Sequence, residues 1–297
     1  MGTQARMVVA LDDSEAARRA AAFATNLAAR EKAELTFCGV VYPLETYVST
    51  ARRAATGIDG LVAELENDAR KLCLTEVARA QARSVYADAA IVQGEPAAAI
   101  AQEAGRRGAT AIVVGTHGRR GLRLAVLGSV ARDLVRGSGP PVFVVRGEAV
   151  VDADGPILVA VDDSARSAAT IRAAVAFARS ERAALHLFHV FGTSDIDRVP
   201  AHIGYDPDVE ERRAYALAVD ELDDLTEIIR NEEDVPFGTE ICEGDPLTQT
   251  IAVATRIRAR FIVTGTHRRS VFGHLVSPSF TERLMTNAPV PVLAIRT

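Results

Sequence analysis

The chain repeats itself at a spacing of 150 residues, and that repeat limits the fold before any single element is read. Val8-Val-Ala-Leu-Asp12-Asp13-Ser14 returns as Leu158-Val-Ala-Val-Asp162-Asp163-Ser164, Gly94-Glu95-Pro96 as Gly244-Asp245-Pro246, and Gly115-Thr-His117 as Gly265-Thr-His267. The last apolar run recurs as well, Pro141-Val-Phe-Val-Val-Arg146 against Pro291-Val-Leu-Ala-Ile-Arg296. A period of this length is a whole domain, not a solenoid unit, so the chain reads as a tandem duplication. The expected domains are residues 1–147 and 151–297, joined by a short polar link between Gly147 and Gly155.

Each copy alternates strand-like and helix-like segments. Met7 to Leu11 is a continuous apolar run closed by Asp12-Asp13-Ser14, the combination expected of a buried strand feeding a helix N-cap. Ala16, Ala20, Phe23 and Leu27 then keep helical spacing, Leu35 to Val41 is a second strand, and Leu61, Leu65, Ala69 and Leu72 mark a long second helix. A weaker strand lies near Val85 to Val92, after which Gly94-Glu95-Pro96 turns the chain into a helix starting at Pro96. Thr110 to Val114, a helix from Ser129 to Arg136 and the strand Val142 to Val145 complete the copy. Continuous Val/Ile/Leu runs with helices between them predict the α/β class, with a parallel sheet covered on both faces and right-handed crossovers. In such sheets ligands bind outside the carboxyl ends of the strands, at the point where the strand order reverses.

Gly115, Gly118, Gly128 and Ser129 lie between a buried-strand run and a helical pattern and read as a phosphate cradle. Gly115 and Gly118 are expected to supply positive φ or bare backbone, while Gly128 and Ser129 open the next helix. There the unpaired N–H groups and the helix dipole favour an anion. The bland alternative is a Gly-rich turn between strand and helix. The spacing matches neither the P-loop nor the close glycine triplet of dinucleotide folds. Glycine, two residues, glycine, nine residues, then Gly128-Ser129 resembles instead the ATP-binding signature of the universal stress protein family.

That resemblance covers essentially the whole chain, one family domain per copy. It implies two tandem doubly wound domains, each a five-stranded parallel sheet of order 3-2-1-4-5. It also implies an adenosine site that uses Ala10, Asp12 and Val40 at the ends of the first two strands. Gly115, His117, Gly118, Gly128, Ser129 and Val130 would surround ribose and phosphates, with Mg2+ as a possible companion of ATP. Asp12 reads equally as part of a helix-capping turn, and His117 as a loop histidine. Arg119, Arg120 and Arg123 either reach phosphate oxygens or form a solvated loop face. Single-domain relatives pair through their last strands, so an intramolecular pseudo-dimer through Val142–Val145 and Val290–Ile295 is expected, with further homodimer formation open. The implied function is a stress-response protein that binds ATP as a regulatory or structural ligand and acts on an unidentified protein partner. Its alternatives are a slow ATP hydrolase using Asp12 or His117, and a nucleotide-free scaffold or small-molecule carrier.

Composition narrows the rest. A net charge of -5 gives no basic footprint for nucleic acid, and the absence of Trp weakens any base-stacking surface. No apolar run reaches the length of about 18 residues needed to cross a membrane, and the start of the sequence has no signal-peptide pattern, so a cytoplasmic location is expected. Cys38, Cys73 and Cys242 are far apart and are expected to be small buried side chains; the six histidines show no zinc spacing, so no protein-built metal site is expected.

The second copy keeps Asp162, Val190, Gly265, His267 and Ser279 but places Arg268 where the first has Gly118, and Pro278 where it has Gly128. Both changes are expected to weaken phosphate binding there, leaving a degenerate pocket that is vacant or suited to another ligand. The segment Gly192 to Tyr205 reads as a cover for that pocket or as a variable surface loop.

Overall fold

The computed structural model describes residues 4–42, 58–116, 127–151, 153–161, 164–191, 207–231, 234–266 and 279–296. The chain divides into two compact units, Met1–Val151 and Asp152–Thr297.

In the first unit the elements run β1 (Arg6–Leu11), α1 (Glu15–Glu31), β2 (Glu34–Val41), α2 (Ile58–Gln81), β3 (Ala87–Gln93), α3 (Pro96–Arg107), β4 (Ala111–Gly115), α4 (Ser129–Gly137) and β5 (Val142–Val145). All strand pairings are parallel, in the order β3-β2-β1-β4-β5. The second unit repeats the plan with β6 (Ile157–Val161), α5 (Ser164–Glu181), β7 (Leu185–Phe191), α6 (Pro207–Arg230), β8 (Phe237–Glu243), α7 (Pro246–Arg256), β9 (Ile262–Thr266), α8 (Phe280–Asn287) and β10 (Val292–Arg296). Its parallel order is β8-β7-β6-β9-β10. The chain steps one way from β1 to β3 and the other way from β4 to β5. Right-handed crossovers therefore put α1 and α2 on one face of the first sheet and α3 and α4 on the other.

Burial explains the apolar runs. Met7, Val8 and Val9 of β1 and Ala111, Ile112 and Val113 of β4 are at most 1% exposed, as befits strands covered on both sides. Helix α1 presents a buried face rich in alanine, including Ala16, Ala17, Ala20, Ala21 and Ala24, which lets its backbone lie close to the sheet. Phe23 completes that face and meets Phe143 of β5 edge-on, ring centres 5.0 Å apart. The turns follow the sequence reading. Glu95 and Asp245 cap α3 and α7, each followed by proline, and Gly94 and Gly244 sit at φ 144° and 128°, where a side chain would be strained.

At the amino ends of the strands the first unit carries an ion network of which helical spacing reveals only the Glu103 pairs with Arg106 and Arg107. Glu103 is 7% exposed and accepts from Arg106 at 2.7 Å and from Arg107 Nε at 2.6 Å. Arg107 Nη1 also donates to Asp88 Oδ2 at 2.6 Å and to Thr36 Oγ1 at 2.7 Å, tying α3 to β2 and β3. Hydrogen bonds from Arg106, joined by those from Arg107 and opposed by burial, pull the Glu103 carboxyl down from 4.5 to about 2. A lowered pKa stabilises the fold above the unfolded value, and that contribution is lost as pH falls through the folded value. Glu103→Gln is therefore expected to lower stability by about 2 kcal/mol at neutral pH, the scale of a charge-assisted hydrogen bond. The difference from the parent should shrink between pH 4.5 and about 2. Urea unfolding across that range checks it, and a difference that stays constant with pH would refute it.

The cysteine expectation holds for two positions and fails at the third. Cys38 and Cys73 are buried, and burial pushes their thiols up to about 12 and about 11. Cys242 is half-buried on β8, where its Sγ donates to Glu240 Oε1 at 3.5 Å. Among the described residues β8 pairs with β7 alone, and this edge position leaves that side chain more exposed than Cys38 and Cys73.

Candidate nucleotide site

The carboxyl edge of the first sheet brings the predicted residues together from distant parts of the sequence. Val9 of β1 pairs with Val113 of β4, and Ala10 pairs with Cys38 of β2. The strand ends carrying Val40, Ala10–Asp12 and Gly115–Thr116 are thus consecutive along one rim, and β1 and β4 flank the point where the chain reverses.

Asp12 performs the capping role considered for it. Its Oδ1 accepts from the Ser14 N–H at 3.0 Å and from Ser14 Oγ at 2.5 Å, while Ser14 Oγ accepts from the Ala17 N–H at 3.1 Å. The carboxylate thereby fixes the cap that fixes α1. Its other oxygen, Oδ2, makes no hydrogen bond among the described residues, and Asp12 is half-buried at the end of β1, so the capping role leaves one carboxylate oxygen uncommitted.

Gly115 requires a correction. It does not adopt positive φ. A Cβ there would lie 2.7 Å from the Ala16 carbonyl carbon and 2.9 Å from both Ala16 Cβ and Ala17 N. The first turn of α1 lies directly against the end of β4, and only glycine leaves room for it.

Gly128 also differs from expectation. It is the N-cap of α4, but its N–H donates to Thr116 O at 2.7 Å. That N–H is engaged by the protein itself, next to the end of β4. Among the described residues, the first-turn N–H groups of Ser129, Val130 and Ala131 have no intrahelical acceptor, and Gly128, lacking a side chain, does not cap them. His117 and Gly118 lie outside the described residues, as do Arg119, Arg120 and Arg123.

Three contributors escaped the sequence reading. Thr116 is fully buried and its N–H donates to Val145 O at 3.0 Å, which locks the loop exit to β5. The signal was available, because Gly-Thr-His occurs in both copies. Ala131 adds a first-turn N–H. Arg132, half-buried in the same turn, donates from Nη2 to Leu127 O at 2.7 Å, which puts its positive charge beside the start of α4.

The second unit builds the corresponding helix start differently. Helix α8 begins at Phe280 and Ser279 is its N-cap, with Ser279 Oγ accepting from the Glu282 N–H at 3.2 Å. One first-turn donor is thus satisfied by the protein itself, and Glu282 stands where the first unit has Arg132. Val190 is half-buried near the end of β7 and Gly265 lies on β9, while Asp162, Arg268 and Pro278 lie outside the described residues. The segment Gly192 to Tyr205 lies outside them as well.

A parallel α/β sheet with an uncapped helix N-terminus at its reversal point is an anion site in form. The sequence profile of the universal stress protein family matches residues 5–146 and again 155–296. The chain belongs to the universal stress protein family. A universal stress protein of Mycolicibacterium smegmatis is 24% identical over 311 residues, covering 99% of this chain and 98% of its own length. Universal stress protein YxiE of Bacillus subtilis is 34% identical over 149 residues, covering 48% of this chain and 98% of its own. The crystal structure of a universal stress protein from Archaeoglobus fulgidus shares the fold, with a TM-score of 0.69 at 20% identity and 98% of each chain covered. No helix among the described residues is long and apolar enough to cross a membrane, and no group of three His, Cys, Asp or Glu side chains among them is placed to hold a metal ion.

Proposed function

We propose that this universal stress protein binds ATP in its first unit and uses the nucleotide as a regulatory or structural ligand, acting in the cytoplasm during stress through altered interactions with a protein partner. The observation that carries the reading is the start of α4. Among the described residues its Ser129, Val130 and Ala131 N–H groups have no capping side chain, and the Gly128–Thr116 bond holds them to the rim shared with Asp12. Phosphate oxygens would take those donors, with Arg132 adding charge. Asp12 Oδ2 and the backbone around Ala10 and Val40 would receive the adenosine half. Mg2+ would enter with the phosphates, since it keeps several waters and takes few protein ligands in sites of this kind.

The same reasoning assigns one ATP to each chain. Arg268 and Pro278 replace cradle glycines in the second unit, and the Ser279 hydroxyl is already engaged as a cap. The loss concerns the phosphate end, so AMP or adenosine remains a candidate ligand there. Denaturing the purified protein and identifying the nucleotide released tests the reading, together with titration calorimetry against ATP. The expected result is an adenine nucleotide and one tight site. An absence of both would favour the nucleotide-free carrier, and phosphate release by clean protein would favour the hydrolase.

A further inference from the structure

Helices α2 and α6 occupy equivalent places in the two units, yet their outward faces have opposite character. On α2, Lys71, Leu74, Thr75, Ala78, Arg79 and Ala82 line an open groove of about 720 Å³. Their spacing of three and four residues puts the small and apolar members on one stripe. Leu74 is 51% exposed there, a large apolar side chain left in solvent. Arg70, Lys71, Arg79 and Arg83 make the carboxyl half of this helix and its exit basic, because the one acid among them, Glu76, is buried and accepts from Arg79.

On α6, Leu217 is 52% exposed and Asp220, Asp224 and Glu227 follow it at helical spacing, with Asp223 beside them, all exposed. Residues 214 to 229 contain no Lys or Arg. Like charges three and four residues apart repel one another, so this face is unfavourable by itself and is relieved by a basic partner. The duplication makes the contrast direct, since Arg70 and Lys71 of α2 correspond to Asp220 and Glu221 of α6.

We propose that the α2 groove of one chain receives the α6 face of a second copy of the same chain. Leu217 would seat against Leu74 and Ala78, while Lys71 and Arg79 meet the carboxylates of Asp220 and Asp224. Charge complementarity names the occupant, because each chain carries both halves at positions related by its own duplication. Among the described residues Lys71 is engaged by the exposed Asp68 of its own helix, a weak pair that exchanges readily. A helix-on-helix patch is smaller than a standard permanent interface, so the association is reversible and sensitive to salt.

Sedimentation velocity of the full chain tests this with two surface charge swaps, Lys71→Glu with Arg79→Glu, and Asp220→Lys with Asp224→Lys, each checked for native circular dichroism. The parent should self-associate at low salt and weaken about tenfold at high salt. Each swapped chain alone should lose self-association about tenfold or more, because its two faces then carry the same sign. An equimolar mixture of the two should recover it. A parent that stays monomeric at low salt, swapped chains that associate as the parent does, or a mixture that fails to recover would each overturn the proposal. The first of these would leave the groove to an acidic helix of some other protein.

Discussion

Gly115→Ala is expected to destabilise the first unit by about 3 kcal/mol, the upper part of the range for overpacking a filled site. The added methyl carbon would fall 2.7 Å from the Ala16 carbonyl carbon and 2.9 Å from Ala17 N, both backbone atoms. They cannot step aside cheaply, because Ser14 caps that turn and Asp12 Oδ1 holds Ser14 through two hydrogen bonds. Moving α1 away would break the cap and displace Asp12 from the rim, so ATP affinity should fall along with stability. The control is Gly105→Ala on α3, where an added carbon meets nothing within 4 Å. In a helix interior that change should be neutral or stabilising by about 0.5 to 1 kcal/mol. Urea unfolding followed through the first unit separates the two. Equal stability of the parent and Gly115→Ala would show that the close approach of α1 to β4 is not what requires glycine.

The largest effect on binding is expected from Gly118→Arg combined with Gly128→Pro, which copies Arg268 and Pro278 of the second unit into the first. The double variant should bind ATP at least about 100-fold more weakly. Its two halves act differently. Gly128 has φ -58°, which proline accepts, so Gly128→Pro removes chiefly the N–H that donates to Thr116 O. One such bond is worth about 1 kcal/mol, or roughly fivefold, felt through loosening of the loop exit. Most of the loss should therefore come from Gly118→Arg, which brings a long side chain to the position that the proposed cradle assigns to bare backbone. Titration calorimetry of the two single variants and the double variant measures the division. ATP binding as tight as the parent's in the double variant would sink the cradle assignment, and a dominant effect of Gly128→Pro would mean that its N–H serves the ligand after all.

Local chemistry made much of this protein legible from its residues alone. The 150-residue repeat, the buried strand run closed by Asp12-Asp13-Ser14 and the Gly94-Glu95-Pro96 turn all act within a few positions of themselves, through burial, capping and proline's fixed φ. Strands and helices therefore fell close to where periodicity put them, and the glycine spacing pointed to the rim of the sheet where β1 and β4 end. What each glycine does was a different matter. Gly115 is glycine because a helix a hundred residues earlier in the chain crosses it, and Gly128 gives its N–H to Thr116 across the loop. Neither fact has a local signature, since a glycine looks the same whether it serves a ligand, a positive φ or a close backbone approach. The bonds from Arg107 to Thr36 and Asp88 join segments brought together by the order of the strands. Nor does a sequence alignment distinguish Ser129, inside its helix, from Ser279, which caps its own. The sequence alone determined the duplicated α/β plan and the sheet edge to which the candidate residues belong. Only the tertiary structure decided which backbone donors at that edge stay open, because hydrogen bonds and steric contacts depend on which distant segments the fold places within 3 Å of each other.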